Sequence, residues 1–238
     1  MTTSAKTIAL VTGANRGIGL EITRQLAAKG IHVIAAARKA ADSEKIVATL
    51  AAEGLTVSAF ALDVADESQR LAIAEHIQTT YGRLDILVNN AGVAIDQWTS
   101  GFDVGLDKMR DTMEVNLYAP LRLIQLFIPL MKQQKHGRIV NLSSELASLS
   151  TTTMGSTVAY RTSKSALNCL TKLLACELKD FPDILINAAA PGWCQTELGG
   201  EGATFTAAEG ADTPVWLATL PAGSPNGGFF RQRKEYPW

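Results

Sequence analysis

Several things are scarce in this chain, and each scarcity removes a class of protein. Cysteine occurs at three positions, Cys169, Cys176 and Cys194. An odd number at wide spacing is not a disulfide framework. Cys169 and Cys176 share one predicted helix and read as small buried fillers, while Cys194 falls in a loop. Histidine is as rare: His32, His76 and His136 stand apart, without ligand spacing or a neighbouring cysteine, so no metal site is expected. The net charge is −1, which argues against a nucleic-acid partner or a polybasic membrane surface. No apolar run reaches the roughly 20 residues needed to cross a bilayer. Leu121–Met131 comes nearest, and Arg122, Gln125 and Pro129 interrupt it. A glycine-rich turn arrives by Gly13, too early for the apolar segment of a signal peptide. The expectation is a cytoplasmic protein without a nucleic-acid or membrane partner.

What is present is the material of one large core. Hydrophobic residues make up 47% of the 238 residues and charged residues 19%, the balance of a globular protein. No linker or internal repeat divides the chain, so residues 1–238 read as a single domain. Apolar runs alternate with amphipathic ones. Strands are predicted at residues 6–12, 31–37, 56–62, 84–88, 138–142, 184–189 and 228–230. Helices are predicted at 20–29, 43–53, 67–80, 106–132 with a break near Pro120, 158–178 and 213–219. The strand runs lack polar alternation, as expected where both faces of a parallel sheet are covered. The fold class is therefore α/β: a Rossmann-like, doubly wound parallel sheet of about seven strands with helices on both faces. On such a sheet, ligands bind beyond the C-terminal ends of the strands.

Residues with chemistry fall at those ends. Gly13, Gly17 and Gly19 lie between the first strand and the first helix, where glycine permits close approach of backbone to phosphate and the helix start offers N–H donors. At the end of the second strand, where an NAD site usually carries an acid, the sequence reads Ala36-Ala37-Arg38-Lys39. Arg16 and Arg38 suit a 2′-phosphate instead, because guanidinium offers paired donors to phosphate oxygens. The cofactor predicted is NADP(H). Ser143 and Ser144 both end the fifth strand. Tyr160 and Lys164 stand on one face of a predicted helix, which sets a phenol beside an ammonium. A nearby cation favours the ionised phenol, so the spacing predicts a lowered Tyr160 pKa, brought toward neutrality with the aid of oxidised nicotinamide.

Together these segments resemble the short-chain dehydrogenase/reductase family over nearly the whole chain. Thr12-Gly-Ala-Asn-Arg-Gly-Ile-Gly19, with Asn15 and Ile18 among the glycines, matches the family's cofactor turn. Asp63-Val64 resembles its adenine-contacting pair, and Asn89-Asn90-Ala91-Gly92 its motif after strand four. Asn116, Ser144, Tyr160 and Lys164 match its catalytic tetrad. Ser144 is preferred to Ser143 by the family's alignment to the strand. Pro191-Gly192 with Thr196 resembles the loop that closes over the nicotinamide. The C-terminal stretch from Thr213 resembles the NADPH-dependent carbonyl-reductase branch, whose monomeric mammalian members carry a long insert before the tyrosine. Here only Glu145–Ala159 separates Ser144 from Tyr160, so monomer and homo-oligomer both stay open.

The resemblance implies an oxidoreductase that reduces ketones or aldehydes with NADPH, reversibly. In that scheme Tyr160 delivers the proton, Ser144 orients the carbonyl oxygen, Lys164 tunes Tyr160 and holds the ribose, and Asn116 supports a water relay. Tyr160 and Lys164 thereby also count as cofactor contacts. The substrate, a small-molecule carbonyl compound or alcohol, is expected among loops near 93–100, 144–157 and 193–210, with Trp98, Ser144 and Trp193 as walls. The Gly- and Ala-rich stretch Leu198–Ala203 reads as a mobile lid or an open pocket, and Arg231–Lys234 as a solvated tail. Two alternatives remain: another reductase of the family, of 3-oxoacyl carrier-protein or steroid type, or a non-catalytic NADP(H)-sensing regulator.

Overall fold

A computed structural model describes residues 6–238. Short apolar runs become strands β1 (Ile8–Thr12), β2 (His32–Ala37), β3 (Val57–Ala61), β4 (Ile86–Asn89), β5 (Gly137–Leu142), β6 (Ile184–Ala190) and β7 (Phe229–Arg231), followed by β8 (Lys234–Glu235). They form one eight-stranded sheet in the order β3-β2-β1-β4-β5-β6-β7-β8, one strand more than predicted. All pairings are parallel except β7 with β8.

Helices α1 (Gly17–Ala28), α2 (Ala40–Ala52) and α7 (Ala207–Ala218) cover one face, and α3 (Glu67–Thr80), α5 (Ala119–Gln134) and α6 (Val158–Glu177) the other. The period of two along β1 divides the core: Ala9 and Val11 pack with Ile22, Leu26 and Val215, while Ile8 and Leu10 pack with Ile73, Leu123 and Phe127. Strand order reverses between β1 and β4, which opens a crevice at their C-terminal ends. No helix among the described residues is long and apolar enough to cross a membrane.

Four expectations change. The predicted break at Pro120 is absent. Helix α4 (Leu106–Met113) runs through a π-helical turn, Glu114–Tyr118, directly into α5. Pro120 sits in the first turn of α5, where its missing N–H and fixed φ are tolerated. Helix α7 starts six residues before the predicted Thr213 (213 − 207). Thr206 and Glu209 form a capping box that initiates it, and Gly210 is tolerated because any Cβ there would lie 2.4 Å from Cys194 Sγ.

The tail is exposed at Gln232, Arg233 and Lys234, as expected, but it is folded as a hairpin. Gln232 and Arg233 take φ of 50° and 58°, the geometry of a tight hairpin turn, and fold β8 back on β7. Arg233 is fixed there by Thr213 and by Asp212, whose carboxylate lies 2.7 Å from its Nε. Finally, Cys169 and Cys176 are exposed rather than buried. The inward face of α6 is Ala159, Ser163, Lys164, Leu167, Asn168, Thr171 and Ala175, and apolar spacing alone did not fix that phase.

Candidate active site

Thr12, at the end of β1, and Asn90, just past β4, join the two sides of the crevice. Thr12 Oγ1 accepts hydrogen bonds from the Asn90 and Ala91 N–H groups at 3.1 and 3.0 Å. Asn90 Nδ2 donates to the carbonyls of Thr12 and Gly13 at 2.8 and 3.0 Å. The turn between them has no room for side chains. A Cβ on Gly19 would stand 2.2 Å from the Gly13 carbonyl oxygen, and one on Gly17 would reach Thr196 at 3.0 Å. Gly13 takes φ +62°, open to glycine at no steric cost. Helix α1 then starts with no capping side chain and no acid in its first turn. Its unsatisfied N–H groups and positive end are left for an anion, which fits a dinucleotide pyrophosphate. Asn15 and Ile18 lie in this turn half-buried, and Ile18 packs toward Gly210 of α7.

The rim of this cradle carries the two arginines. Arg38 is exposed at the end of β2. Arg16 is exposed too but forms an ion pair with Glu197, which follows Thr196 on the loop after β6. Asp63 and Val64 follow β3. The Asp63 carboxylate accepts from Ala65 N–H at 3.0 Å, and Arg70 clasps the Val64 carbonyl at 2.6 Å. The pair is thus fixed by its own loop.

Asn116, Ser144, Tyr160 and Lys164 come from three elements; Asn116 and Lys164 meet at Gly92, and Tyr160 lies beside Lys164 and Ser144. A Cβ on Gly92 would lie 3.3 Å from both Asn116 Oδ1 and Lys164 Nζ. Asn116 is fully buried in the π-helical turn. It exchanges hydrogen bonds with Val93 N–H (2.9 Å) and the Val93 carbonyl (2.8 Å), and donates to Ser163 Oγ (3.0 Å). The π turn is what turns this side chain inward, a common use of that irregularity. Ser144 faces the Tyr160 side chain, and its Oγ accepts from Leu146 N–H at 3.1 Å. Ser143 is buried and directs its hydroxyl toward the Lys164 carbonyl instead.

Lys164 differs from the expectation drawn from its spacing. It is almost wholly buried, and Nζ donates to the Leu142 carbonyl at 2.6 Å. Burial pulls its pKa down to about 8. The ammonium lies 5.8 Å from the centre of the Tyr160 ring, yet the phenol is not lowered. Burial pushes the Tyr160 pKa up, the Ser144 hydroxyl partly opposes this, and the Glu145 charge adds to it. Tyr160 is half-buried, and desolvation of its hydroxyl end is the largest influence on it.

Trp98 and Trp193 stand at the rim, with 78% and 51% of their surface exposed, so neither is a core residue. The stretch expected to be a loose lid is folded back. Trp193 Nε1 donates to the Gly199 carbonyl (2.8 Å), Gln97 Nε2 to that of Leu198 (3.0 Å) and Gly199 N–H to Thr196 Oγ1 (3.1 Å). Pro191 and Gly192 begin this loop at the end of β6. Cys194 is buried and its thiol is pushed up to about 11, chiefly by burial, so it is no nucleophile at neutral pH. Among the described residues no three His, Cys, Asp or Glu side chains gather as a metal site.

One residue with a role here went unnoticed in the sequence. Asp96 is fully buried, and its carboxylate accepts from the N–H groups of Ala159 (2.6 Å) and Tyr160 (3.3 Å). It therefore caps α6 from a distant loop, where the helix's own cap residue Thr157 contributes no side-chain bond. Thr157 instead accepts from Trp98 N–H at 3.0 Å. No motif marks such a long-range cap.

Two predictions follow from burial. Asp96→Ala uncaps the helix that carries Tyr160; thermal melts are expected to show a loss of about 1–2 kcal/mol, and Asp96→Asn to recover part of it. An unchanged melting temperature in Asp96→Ala contradicts the cap. For Lys164, the folded pKa of about 8 lies below the ordinary 10.5. The unfolded chain binds the extra proton between those values, so this group's destabilising effect is full below pH 8 and fades as pH rises. The stability of wild type relative to Lys164→Met is expected to climb from pH 8 to 10 by up to about 1.4 kcal/mol per pH unit. A constant difference across that window contradicts the buried-lysine reading.

A family model described as short chain dehydrogenase matches residues 7–205. The chain is 34% identical to the Mus musculus protein named carbonyl reductase (NADPH) 1, with 99% of each chain covered. It is 32% identical to (+)-neomenthol dehydrogenase of Arabidopsis thaliana, over 95% of this chain and 96% of that one. Among solved structures, NADPH-bound carbonyl reductase from chicken fatty liver aligns with a TM-score of 0.86 at 28% identity, covering 99% of this chain and 100% of that one. The chain belongs to the short-chain dehydrogenase/reductase family and, within it, resembles the carbonyl reductases.

Proposed function

We propose that this chain is an NADPH-dependent carbonyl reductase acting on ketones or aldehydes, and in reverse on alcohols. The observation that carries the reading is the meeting of Asn116 and Lys164 at Gly92, with the Lys164 ammonium 5.8 Å from the centre of the Tyr160 ring and Ser144 facing that tyrosine. The cradle of Gly13, Asn15, Gly17, Ile18 and Gly19 holds the pyrophosphate. Arg38 and Arg16 take the 2′-phosphate; Asp63, Val64, Asn90, Ala91 and Gly92 line the crevice toward the adenosine; and Pro191, Gly192 and Thr196 border the nicotinamide. Bound there, NADPH supplies the hydride.

The chain's own residues handle the oxygen and its proton. Ser144 donates to the carbonyl oxygen and orients it. Tyr160, held neutral by burial, keeps its proton at working pH and gives it to that oxygen as negative charge builds. The phenolate left behind is stabilised by Ser144 and by protonated Lys164, 5.8 Å from the ring centre. Asn116, fixed at both ends by Val93, supports the route by which the proton is replaced. Trp98 and Trp193 give the mouth apolar walls, which favours apolar carbonyl compounds of small or medium size.

We read residues 1–238 as a single domain, working in the cytoplasm on small molecules without a nucleic-acid or membrane partner, as a monomer or homo-oligomer.

Tyr160→Phe is expected to abolish ketone-dependent NADPH oxidation while leaving NADPH binding, followed by nicotinamide fluorescence, intact. Retained turnover removes Tyr160 from the mechanism. Wild type is expected to show a much lower KM for NADPH than for NADH, with the preference lost in Arg38→Asp. Equal use of the two cofactors by wild type contradicts the 2′-phosphate role.

A further inference from the structure

Next to Ser144 lies a charged pair that the mechanism above does not use. Glu145 follows Ser144 directly and opens a short 3₁₀ turn, Glu145–Ala147, with Ser144 as its cap. Its carboxylate lies 3.0 Å from Nη2 of Arg231, and both side chains are only about a quarter exposed, at 26% and 29%. Arg231 is the last residue of β7, beside Ala190 of β6.

Its guanidinium is held between two aromatic rings, 5.9 Å from the centre of Phe205 and 5.7 Å from that of Tyr236. Phe205 belongs to the loop after β6 and lies against Gly192, where a Cβ would stand 2.8 Å from its ring. Arg231 thus touches the three segments that enclose the reaction centre: the Ser144 turn, the cofactor loop and the C-terminal hairpin. The hairpin grips the same turn a second time. The Trp238 carbonyl accepts from Ser150 N–H (3.0 Å), Ser150 Oγ (2.6 Å) and Ser148 Oγ (3.3 Å), while its ring stacks on Phe229.

The groups that face Tyr160 are few. Ser144 and Glu145 come from the turn after β5 and Lys164 from its own helix; Asp96 meets only its backbone N–H. Glu145 is the one whose negative charge opposes formation of the phenolate, and it also pushes the Cys194 thiol up. Resting on the carbonyl-reductase reading, we infer that Arg231 is a positioning residue for the reaction: by pairing with Glu145 it fixes the turn that presents Ser144 and offsets the Glu145 charge beside the Tyr160 hydroxyl. The basic tail thereby becomes part of the electrostatic frame of the site. A partly buried pair keeps most of its field from being screened by salt, so its loss reaches Tyr160.

The test is the pH profile of NADP-dependent alcohol oxidation, whose acid limb reports deprotonation of Tyr160. In Arg231→Gln, Glu145 is left unpaired, and the limb is expected to move up by roughly half a pH unit, the size of effect one partly exposed charge exerts on a nearby group. In Glu145→Gln, Arg231 is left unpaired, and the limb is expected to move down. The double variant Glu145→Gln/Arg231→Gln and the charge-conserving Arg231→Lys are both expected to bring it back near wild type. NADPH binding stays unchanged throughout. A merely structural role lowers the rate at every pH and leaves the limb in place, so unmoved limbs in both single variants overturn the inference. If Arg231→Gln does not fold, Glu145→Gln alone decides by the presence or absence of the downward shift. Absence of any alcohol or ketone turnover by wild type overturns the carbonyl-reductase reading itself, a separate outcome from active enzyme with unmoved limbs.

Discussion

Thr12 and Asn90 set the frame on which the rest of the site depends. The parallel sheet must diverge somewhere for a ligand to enter, and here it does so between β1 and β4. Divergence exposes strand-end backbone groups that no neighbouring strand can satisfy. The Thr12 hydroxyl and the Asn90 amide satisfy them with four hydrogen bonds between 2.8 and 3.1 Å. Buried groups of this kind cost on the order of 1–3 kcal/mol each when unpaired, so the junction is strongly specified. Once it is fixed, the turn at Gly13 and the loop at Gly92 are placed together. The Gly13 turn forms the phosphate cradle, and Gly92 meets Asn116 and Lys164.

The chemistry built on that frame is a balance of burial against charge. Withdrawing Lys164 fully and the Tyr160 hydroxyl partly from water drives both toward neutrality, which disfavours each charged form. A neutral phenol suits proton donation, and a lysine with a pKa of about 8 is still charged over much of the neutral range. The site pays in stability for this arrangement, and Asp96, Asn116 and the Leu142 carbonyl are the contacts that keep it in place. Glu145 and Arg231 extend the balance outward to the C-terminal hairpin.

Much of this was legible in the sequence, for identifiable reasons. Strands buried on both faces are short apolar runs, and seven were visible; the glycine turn and the Tyr160–Lys164 spacing are local patterns. The failures have physical causes. The start of α7 was obscured by Gly210 and Pro214, although Thr206 and Glu209 carry a capping-box signature. The tail hairpin turns on two non-glycine residues at positive φ, which composition does not announce. Cys169 and Cys176 were placed inside because helical spacing does not say which face meets the core. Asp96 and the Glu145–Arg231 pair act across long sequence separations, and the direction of the Tyr160 shift depended on how deeply two side chains are buried.

The central claim is that hydride from NADPH and a proton through Tyr160 together convert a carbonyl group to an alcohol. It is tested most directly by incubating the wild-type protein with NADPH and a panel of apolar ketones, aldehydes, quinones and acyl thioesters, and measuring the alcohol formed against the NADPH consumed. The account predicts one alcohol per NADPH with ketones or aldehydes. NADPH that binds but is consumed with none of them would contradict it.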